Sequence, residues 1–205
     1  DPVAGGRAEP SGAAGPRPGA WAAGGTWDDK SDGSDGGAGG GHRDNVAAAA
    51  AGGIRSVSDV FDEKLPNPGW GLALFVAHTP VATEKARAVL PDEVSRESAV
   101  FNIARAALLV RAISAKRPSL LGHALRDRLH QPHRLHLYPW TQEVLHAADA
   151  AGAYGAAICG AGPSVFAFCP PTMATKVAKA MAAAAPQHGR GLVTRVTDKG
   201  MFRTL

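Results

Sequence analysis

The sequence has no long apolar run, few aromatic residues and few charges. Its 205 residues are 6% aromatic and 20% charged, and no apolar run approaches the roughly 18 residues that a membrane-spanning helix requires. Glycine is in excess, with 25 residues, but no glycine triplet repeats as in collagen. These absences exclude a membrane-spanning protein and a fibrous one, and they leave a globular protein.

The first 41 residues contain no Leu, Ile, Phe or Met and are rich in Gly, Ala, Pro, Ser and Asp. Such a segment has too little apolar surface to offset the entropy of ordering it. We therefore predict that residues 1–40 are low-complexity sequence, either disordered or unrelated to the rest. No secretion signal fits this segment. The chain opens on Asp1 instead of Met, which suggests a fragment or a processed product.

The charge is +4 overall, but the first 41 residues are acidic, so the remainder carries 19 bases and 12 acids. A basic globular part favours anionic partners such as nucleotides, phosphates, carboxylates or nucleic acid. The bases are spread singly and no aromatic-rich ribbon accompanies them, so we expect no nucleic-acid partner.

The two cysteines, Cys159 and Cys169, lie ten residues apart in apolar sequence without CxxC spacing. This usage is typical of buried, reduced thiols in a cytoplasmic protein. A disulfide is the alternative, and it requires the two residues to face one another across a hairpin.

Helix and strand signals alternate from residue 41 onward. Apolar runs of strand length cover residues 70–78 and 153–158, with further strands predicted at residues 164–169 and 192–197. Helices are predicted at residues 41–54, 83–90, 118–129, 141–151 and 172–185, and after Ser95. The alternation indicates an α+β fold, a two-layer sandwich with an antiparallel sheet.

Local signals refine these helices. Thr83, Ser95 and Thr172 are expected to be N-caps, because their hydroxyls can accept a bond from the first helical turn. Four apolar residues after Ser95 repeat at helical spacing and are expected to form the core face of that helix. They are Val100, Ile103, Ala107 and Val110.

The stretch DRLHQPHRLH carries three histidines at three-residue steps, His130, His133 and His136. Pro132 interrupts the helix and no Cys or paired carboxylate completes a ligand set, so we predict no metal site. Pro132 begins a turn-rich connector that ends at Pro139. Arg134 is more informative, because its planar guanidinium suits a carboxylate or a phosphate; a surface arginine is the alternative.

A glycine-rich loop lies between the last two strand-like stretches, formed by Gly160, Ala161, Gly162, Pro163 and Ser164. Two glycines around one small residue let backbone amides approach a ligand closely, and Pro163 fixes the exit of the loop. A simple hairpin turn is the alternative. The loop is not a P-loop, since no Gly-Lys-Ser/Thr follows.

Four stretches in order carry a resemblance: GHRDNVAAAAAGG, TEKARAVLP, DRLHQPHR followed by LYP, and GAAICGAGPSVFAF. Together they resemble the homoserine kinases, whose family also contains galactokinase, mevalonate kinase and phosphomevalonate kinase. The resemblance runs from about Gly41 to Leu205. It implies transfer of the γ-phosphoryl group of ATP to the hydroxyl of L-homoserine, with Mg²⁺, in threonine biosynthesis.

The resemblance also implies roles for individual residues. His42, Asp44 and Asn45 correspond to the family's His-x-Asp-Asn motif at the amino-acid site, with Asp44 and Asn45 as its catalytic pair. Arg87 and Arg134 correspond to the arginines that hold the substrate carboxylate. The loop Gly160, Ala161, Gly162, Pro163 and Ser164 corresponds to the third family motif, which packs against the phosphate loop. We expect Asp44 to pair with the substrate ammonium.

Two departures limit what the resemblance implies. Cys159 stands where serine is usual. The family's phosphate-binding motif, expected roughly 35 to 40 residues before His42, has no match, and neither has its Mg²⁺-binding Glu. We therefore expect a C-terminal portion that is inactive alone, with a remnant of the N-terminal domain over residues 41–68 and the C-terminal α+β domain over 69–205.

Two other functions remain open. One is a kinase of the same family acting on another alcohol, although two arginines favour a substrate with a carboxylate. The other is a non-catalytic module that binds an amino acid. A homodimer is a further expectation for either function, in the cytoplasm.

Overall fold

A computed structural model describes residues 43–58 and 61–201, with side chains from Val46 onward. Gly41, His42 and the low-complexity segment over residues 1–40 lie outside the described residues. The helices are α1 (Arg43–Ala51), α2 (Thr83–Ala88), α3 (Arg96–Ser114), α4 (Leu121–Ala124), α5 (Gln131–Arg134), α6 (Thr141–Ala150) and α7 (Ala174–Ala184). The strands are β1 (Ile54–Val57), β2 (Asp62–Leu65), β3 (Gly71–Ala77), β4 (Gly155–Ile158), β5 (Val165–Cys169) and β6 (Gly189–Thr194).

A four-stranded antiparallel sheet in the order β4-β5-β3-β6 organises the fold. Strand β3 is central, and its Leu74 lies opposite Phe166 of β5 and Leu192 of β6. Because β3 has helices or side chains against both faces, its sequence GLALFVA is apolar throughout instead of alternating. The predicted α+β fold with an antiparallel sheet is confirmed.

Helices α6 and α7 cover one face of this sheet. Side chains that alternate along β3 and β5 point to the same face, as the period of a strand requires. The core they form with the two helices includes several side chains with no exposed surface. These are Ala73, Phe75, Val144, Val165, Ala167, Cys169, Val177 and Met181.

The other face of the sheet packs aromatic residues against α3 and α4. Phe168 forms a buried cluster with Ala112 of α3 and Leu121 of α4. Trp70 packs edge-on against Phe168, with ring centroids 5.7 Å apart, and against Tyr154 at 6.0 Å. This face therefore uses fewer, larger side chains than the face under α6 and α7.

Helix α1 and the β1–β2 hairpin pack against the last described residues of the chain. Gly53 donates its N–H to Thr197 O at 2.7 Å, and Met201 donates to Ala49 O at 2.8 Å. Lys64 of β2 pairs with Asp198 at 3.2 Å. No helix among the described residues is long and apolar enough to cross a membrane.

The predicted core face of α3 is wrong. Val100, Ile103 and Val110 are 58%, 70% and 42% exposed, and Ala107 is exposed as well. The helix instead turns Leu109 and Ala112 toward the sheet. Both stripes have helical spacing, so the periodicity of the sequence alone could not choose between them.

Several helix ends also differ from the predictions. Ser95 caps α3 as predicted, accepting from the N–H of Ser98 at 3.1 Å, but Thr83 is the first residue of α2 and caps nothing. Thr172 lies in a 3₁₀ turn ahead of α7. The predicted helix from Pro118 ends at Ala124 instead of about residue 129.

Two further elements differ from the predictions. The turn-rich connector contains the short helix α5, because Pro132 occupies a first-turn position where its missing N–H is harmless. Strand β6 spans Gly189–Thr194 instead of residues 192–197.

Candidate functional site

A half-buried carboxylate, Asp127, organises the segment that leads into α5. It accepts hydrogen bonds from the backbone N–H groups of Leu129 at 2.9 Å and His130 at 2.8 Å, and also from Gln131 N. The Nδ2 of Asn102 on α3 donates to it at 2.6 Å. Its side chain is 12% exposed, and it ties the backbone that precedes α5 to α3.

Two opposing effects act on the pKa of Asp127. Burial raises it, but the hydrogen bonds from Asn102, Gln131, Leu129 and His130 outweigh burial and hold the pKa below its usual value. The carboxylate is therefore ionised at neutral pH, and the charge strengthens its bonds to the backbone.

Gln131 attaches α5 to the edge of the sheet. Its Nε2 donates to Leu125 O at 3.1 Å, and its Oε1 accepts from the N–H of Ile158 at 3.0 Å. Ile158 is the last residue of β4, directly before the glycine-rich loop. The helix is thus held in a fixed position relative to the loop.

Arg134, at the end of α5, joins two distant segments of the chain. Its Nε donates to Ala86 O in α2 at 3.2 Å, and its Nη1 donates to Gly160 O in the loop at 2.8 Å. Arg87 follows Ala86 directly and is exposed on α2. The guanidinium therefore brings three of the four resembling stretches to one corner of the fold, which we call the arginine corner: Ala86, Arg87, Arg134 and residues 159–164.

The glycine-rich loop is held by Tyr138 and Ser164. The Tyr138 hydroxyl donates to Ala161 O at 2.6 Å, and Ser164 Oγ accepts from the N–H of Ala77 at 3.2 Å. Cys159 N donates to Ser164 O at 2.8 Å, which closes the β4–β5 hairpin. The loop is therefore a true hairpin turn, and it is also placed against Arg134.

Tyr138 and Cys159 are kept in their neutral forms. Burial raises the pKa of Tyr138, an effect that the nearby Arg134 opposes. Burial also raises the pKa of the Cys159 thiol. Cys159 and Cys169 are free, because the hairpin puts them at opposite ends of β5. The side chains of Tyr138 and Cys159 are therefore both neutral near the charged guanidinium of Arg134.

The backbone N–H groups of Gly160 and Ala161 donate to no other described residue. Gly160 and Gly162 have positive φ, +52° and +82°. Successive amides in such a turn form a concavity suited to an anion. The loop therefore offers donors beside the guanidinium of Arg134.

The remaining predicted site residues are placed only in part. Asp44 and Asn45 lie in the first turn of α1, but their side chains and the whole of His42 lie outside the described residues. The structure leaves their roles as predictions. Among residues 43–58 and 61–201, no three His, Cys, Asp or Glu side chains form a group that could hold a metal.

The sequence reasoning missed Asp127, Gln131 and Tyr138. Asp127 could have been found, since an aspartate in a turn often accepts hydrogen bonds from backbone N–H groups a few residues further on. Gln131 and Tyr138 gave no such signal, because each bonds to a backbone atom of a residue 20 or more positions away. Ile158 is 27 positions from Gln131, and Ala161 is 23 positions from Tyr138.

A surface groove of about 690 Å³ lies elsewhere, between the start of α6 and the end of α7. Its wall includes Trp140 and His188, whose rings stack in parallel with centroids 5.0 Å apart. Neither Arg134 nor the glycine-rich loop lines it. The groove is therefore separate from the arginine corner.

Comparison with known proteins identifies the family. Residues 109–187 match the family model described as GHMP kinases C terminal. The homoserine kinase of Gloeobacter violaceus is 45% identical over 152 residues, 71% of this chain and 50% of that protein. The Thermus thermophilus enzyme is 42% identical over 161 residues, 77% of this chain and 55% of that protein.

A solved structure agrees with the sequence matches. The crystal structure of homoserine kinase from Cytophaga hutchinsonii superposes with a TM-score of 0.73 at 32% identity, covering 79% of this chain and 54% of that chain. The chain spans about half the length of the curated relatives it matches. Residues 109–187 are therefore a GHMP kinase C-terminal domain, and the chain is a homologue of the homoserine kinases.

Proposed function

We propose that this chain supplies the amino-acid site of a homoserine kinase, which transfers the γ-phosphoryl group of ATP to the hydroxyl of L-homoserine. The observation that carries the proposal is the position of Arg134, which joins α2 to the glycine-rich loop through two backbone carbonyls. Relatives at 42–45% identity are homoserine kinases. Two arginines near one another suit a substrate that carries a carboxylate.

The carboxylate of homoserine would bind between Arg134 and Arg87. The Nε and Nη1 of Arg134 hold the side chain in place through two backbone carbonyls. Its Nη2 donates to none of the described residues. That nitrogen is the one that can meet a carboxylate, while Arg87 reaches the same anion from α2. A carboxylate held by two guanidinium groups forms charge-assisted bonds, the strongest hydrogen bonds available to an amino acid.

His42, Asp44 and Asn45 would complete the amino-acid site. In this proposal Asp44 pairs with the substrate ammonium, and His42 and Asn45 supply hydrogen bonds. Positioning suffices for much of phosphoryl transfer, so no strong base is required. Asp44 and Asn45 are thus proposed to orient the bound homoserine for phosphoryl transfer.

The described residues fit a phosphate better than a metal ion. The loop amides of Gly160 and Ala161 are open beside a cation, which suits support of an ATP phosphate. No described cluster of carboxylates fits Mg²⁺, so no step here involves the ion. We also propose a cytoplasmic location, since both cysteines are free thiols.

Calorimetric titration with L-homoserine tests the carboxylate site. We expect the chain to bind homoserine but not homoserinol, which lacks the carboxylate. Arg134→Met should weaken binding about 10-fold to 100-fold, the equivalent of one or two charge-assisted hydrogen bonds. Arg126→Met is the matched control, because Arg126 is exposed one turn before this segment. Equal binding of homoserine and homoserinol would contradict the proposal.

A chimaera tests the kinase activity itself. Residues 41–205 would replace the matching stretch of the Thermus thermophilus homoserine kinase, and ADP formation would be measured with homoserine and with mevalonate. We expect phosphorylation of homoserine alone, and none by the 205-residue chain without the added part. Homoserine phosphorylation by the chain alone would disprove the expected dependence on a separate ATP site. Homoserine binding without turnover in a folded chimaera would favour the non-catalytic module.

A further inference from the structure

The glycine-rich loop begins with a tight turn whose type follows from its backbone. Gly162 donates its N–H to Cys159 O at 2.8 Å, which closes a four-residue turn. Gly160, the first central residue, has a φ of +52°, whereas Ala161, the second, does not have a positive φ. This combination defines a type II′ turn, which favours glycine at its first central position.

The central peptide of this turn joins Gly160 to Ala161, and its two polar groups lie on opposite sides. The peptide is planar and trans, so the Gly160 C=O and the Ala161 N–H point in opposite directions. The carbonyl accepts from Arg134 Nη1 at 2.8 Å, whereas the N–H donates to none of the described residues. One peptide therefore meets the guanidinium on one side and presents an open donor on the other.

The rest of the turn is held without Arg134. Tyr138 Oη donates to Ala161 O at 2.6 Å, and Cys159 N donates to Ser164 O at 2.8 Å. Among the described residues, the bond from Arg134 is the one that holds the central peptide. Rotation of that peptide would give a type I′ turn, in which Ala161 takes a positive φ that its Cβ makes unfavourable. The peptide therefore has two possible orientations, and Arg134 favours the observed one.

An anion on either side of the peptide would favour the same orientation. A carboxylate bound at the Nη2 of Arg134 orders the guanidinium and so favours the bond from Nη1 to Gly160 O. A phosphate oxygen that accepts from Ala161 N–H polarises the peptide and makes its carbonyl a stronger acceptor. The rotated peptide would instead turn its carbonyl oxygen toward the phosphate. Two ligands that favour one conformation favour each other's binding.

We propose that the Gly160–Ala161 peptide couples the amino-acid site to phosphate binding. A substrate carboxylate at Arg134 and a phosphate group at the Ala161 amide then raise one another's affinity, and the effect is reciprocal. The inference rests on the proposed function, since the carboxylate is that of homoserine. It gives Arg134 a second role, because its Nη1 acts on the phosphate through the backbone of the loop.

Calorimetric titration of the 205-residue chain with L-homoserine measures the coupling. The titration is made in inorganic phosphate and in sodium chloride at equal ionic strength, because salt alone screens charges. We expect homoserine to bind about 5-fold more tightly in phosphate, the lower end of usual coupling between sites. Equal affinity in the two buffers overturns the proposal. Weaker binding in phosphate means that phosphate competes for the arginines, and this also overturns it.

A different result would contradict the proposed function. If homoserine binds in neither buffer, the chain does not supply an amino-acid site, and the coupling is wrong as well. If homoserine binds equally well in both, the amino-acid site stands and the coupling alone is wrong.

Ala161→Pro isolates the open amide. Proline removes the N–H but fits the φ of about −80° at the second turn position, and Gly160 has no Cβ to meet the proline ring. Phosphate should no longer change the homoserine affinity of this variant. Ala161→Ser is the matched control, because it keeps the N–H and should keep the roughly 5-fold effect. A full phosphate effect in Ala161→Pro overturns the proposal, and circular dichroism checks that both variants fold.

Nuclear magnetic resonance tests the same amide without a substitution. In the ¹⁵N-labelled chain the amide resonance of Ala161 should shift as inorganic phosphate is added. The shift should reach saturation at about 5-fold less phosphate when homoserine is present, because the coupling is reciprocal. An Ala161 resonance that phosphate leaves in place, or a midpoint that homoserine does not change, overturns the proposal.

Discussion

The sheet face under α6 and α7 and the arginine corner are held together by different forces. Phe75, Val165 and Met181 have no exposed surface and contact one another through apolar atoms, whereas Asp127 and Arg134 hold backbone atoms by hydrogen bonds. Apolar burial has no preferred direction, but a hydrogen bond fixes the position of its partner. The core therefore determines stability, and the corner determines where particular carbonyls and amides lie.

Phe75→Ala should produce the largest loss of stability. Phe75 is fully buried, and its ring packs on Trp140 at 5.3 Å between centroids. Removal of a buried phenylalanine leaves a cavity and should lower the free energy of unfolding by about 3–5 kcal/mol. Urea denaturation followed by circular dichroism measures the change.

Phe61→Ala is the matched control for that prediction. Phe61 is 44% exposed, so its removal should change the free energy of unfolding by less than about 1 kcal/mol. If the two alanine variants were equally stable, the α6 and α7 face would not be the core that determines stability.

Gly162→Ala, in the arginine corner, should produce the next largest loss of stability. Gly162 has a φ of +82°, and an added Cβ would collide with the hydroxyl of Tyr138. Strain and displacement of the tyrosine should together destabilise the chain by about 2–3 kcal/mol. The Tyr138 hydroxyl would also lose its hydrogen bond to Ala161 O in the loop. We therefore expect homoserine binding to be weaker as well.

Gly160→Ala separates strain from steric contact. Gly160 also has a positive φ, but nothing lies within 4 Å of the position its Cβ would take. Only the backbone strain remains, about 1 kcal/mol. Thermal unfolding of the two variants side by side measures the difference. A Gly160→Ala variant as unstable as Gly162→Ala would show that contact with Tyr138 does not fix the loop.

The same contrast explains which features could be predicted from the sequence. Strand β3 and the β4–β5 hairpin were predicted correctly, because a run of apolar residues and a glycine-rich turn are local signals. The outer stripe of α3 was assigned to the core, because helical periodicity does not say which of two stripes faces the sheet. Local patterns therefore predict the helices and strands, but they do not predict which face of a helix packs against the sheet.

The assembly of the corner depends on contacts that no local pattern contains. Arg134 bonds to Ala86, 48 positions away, and to Gly160, 26 positions away. Both partners are carbonyl oxygens, which every residue has, so no sequence motif marks them. The resemblance implies separate roles for Arg134 and for the loop. The hydrogen bond between them is seen only in the folded chain.

Asp127→Asn should have a smaller effect than Phe75→Ala or Gly162→Ala, because asparagine keeps one acceptor oxygen. The loss of charge weakens the bonds to Leu129 N and His130 N, and we expect a destabilisation of about 1–2 kcal/mol at neutral pH. Because the folded-state pKa lies below the ordinary value of 3.8, the charge stabilises the fold above that pH. This contribution is lost as the pH falls through the lower folded pKa.

Urea denaturation at several pH values therefore shows whether Asp127 acts through the charge of its carboxylate or through the packing of its side chain. The free energy of unfolding of the unchanged chain should exceed that of Asp127→Asn by the whole amount above about pH 5. This difference should shrink as the pH falls below the ordinary carboxyl pKa. Asp92→Asn, at an exposed position, should change stability by less than about 0.5 kcal/mol at neutral pH. A difference for Asp127→Asn that stayed constant down to acid pH would mean that shape, and not the ionised carboxylate, holds α5 in place.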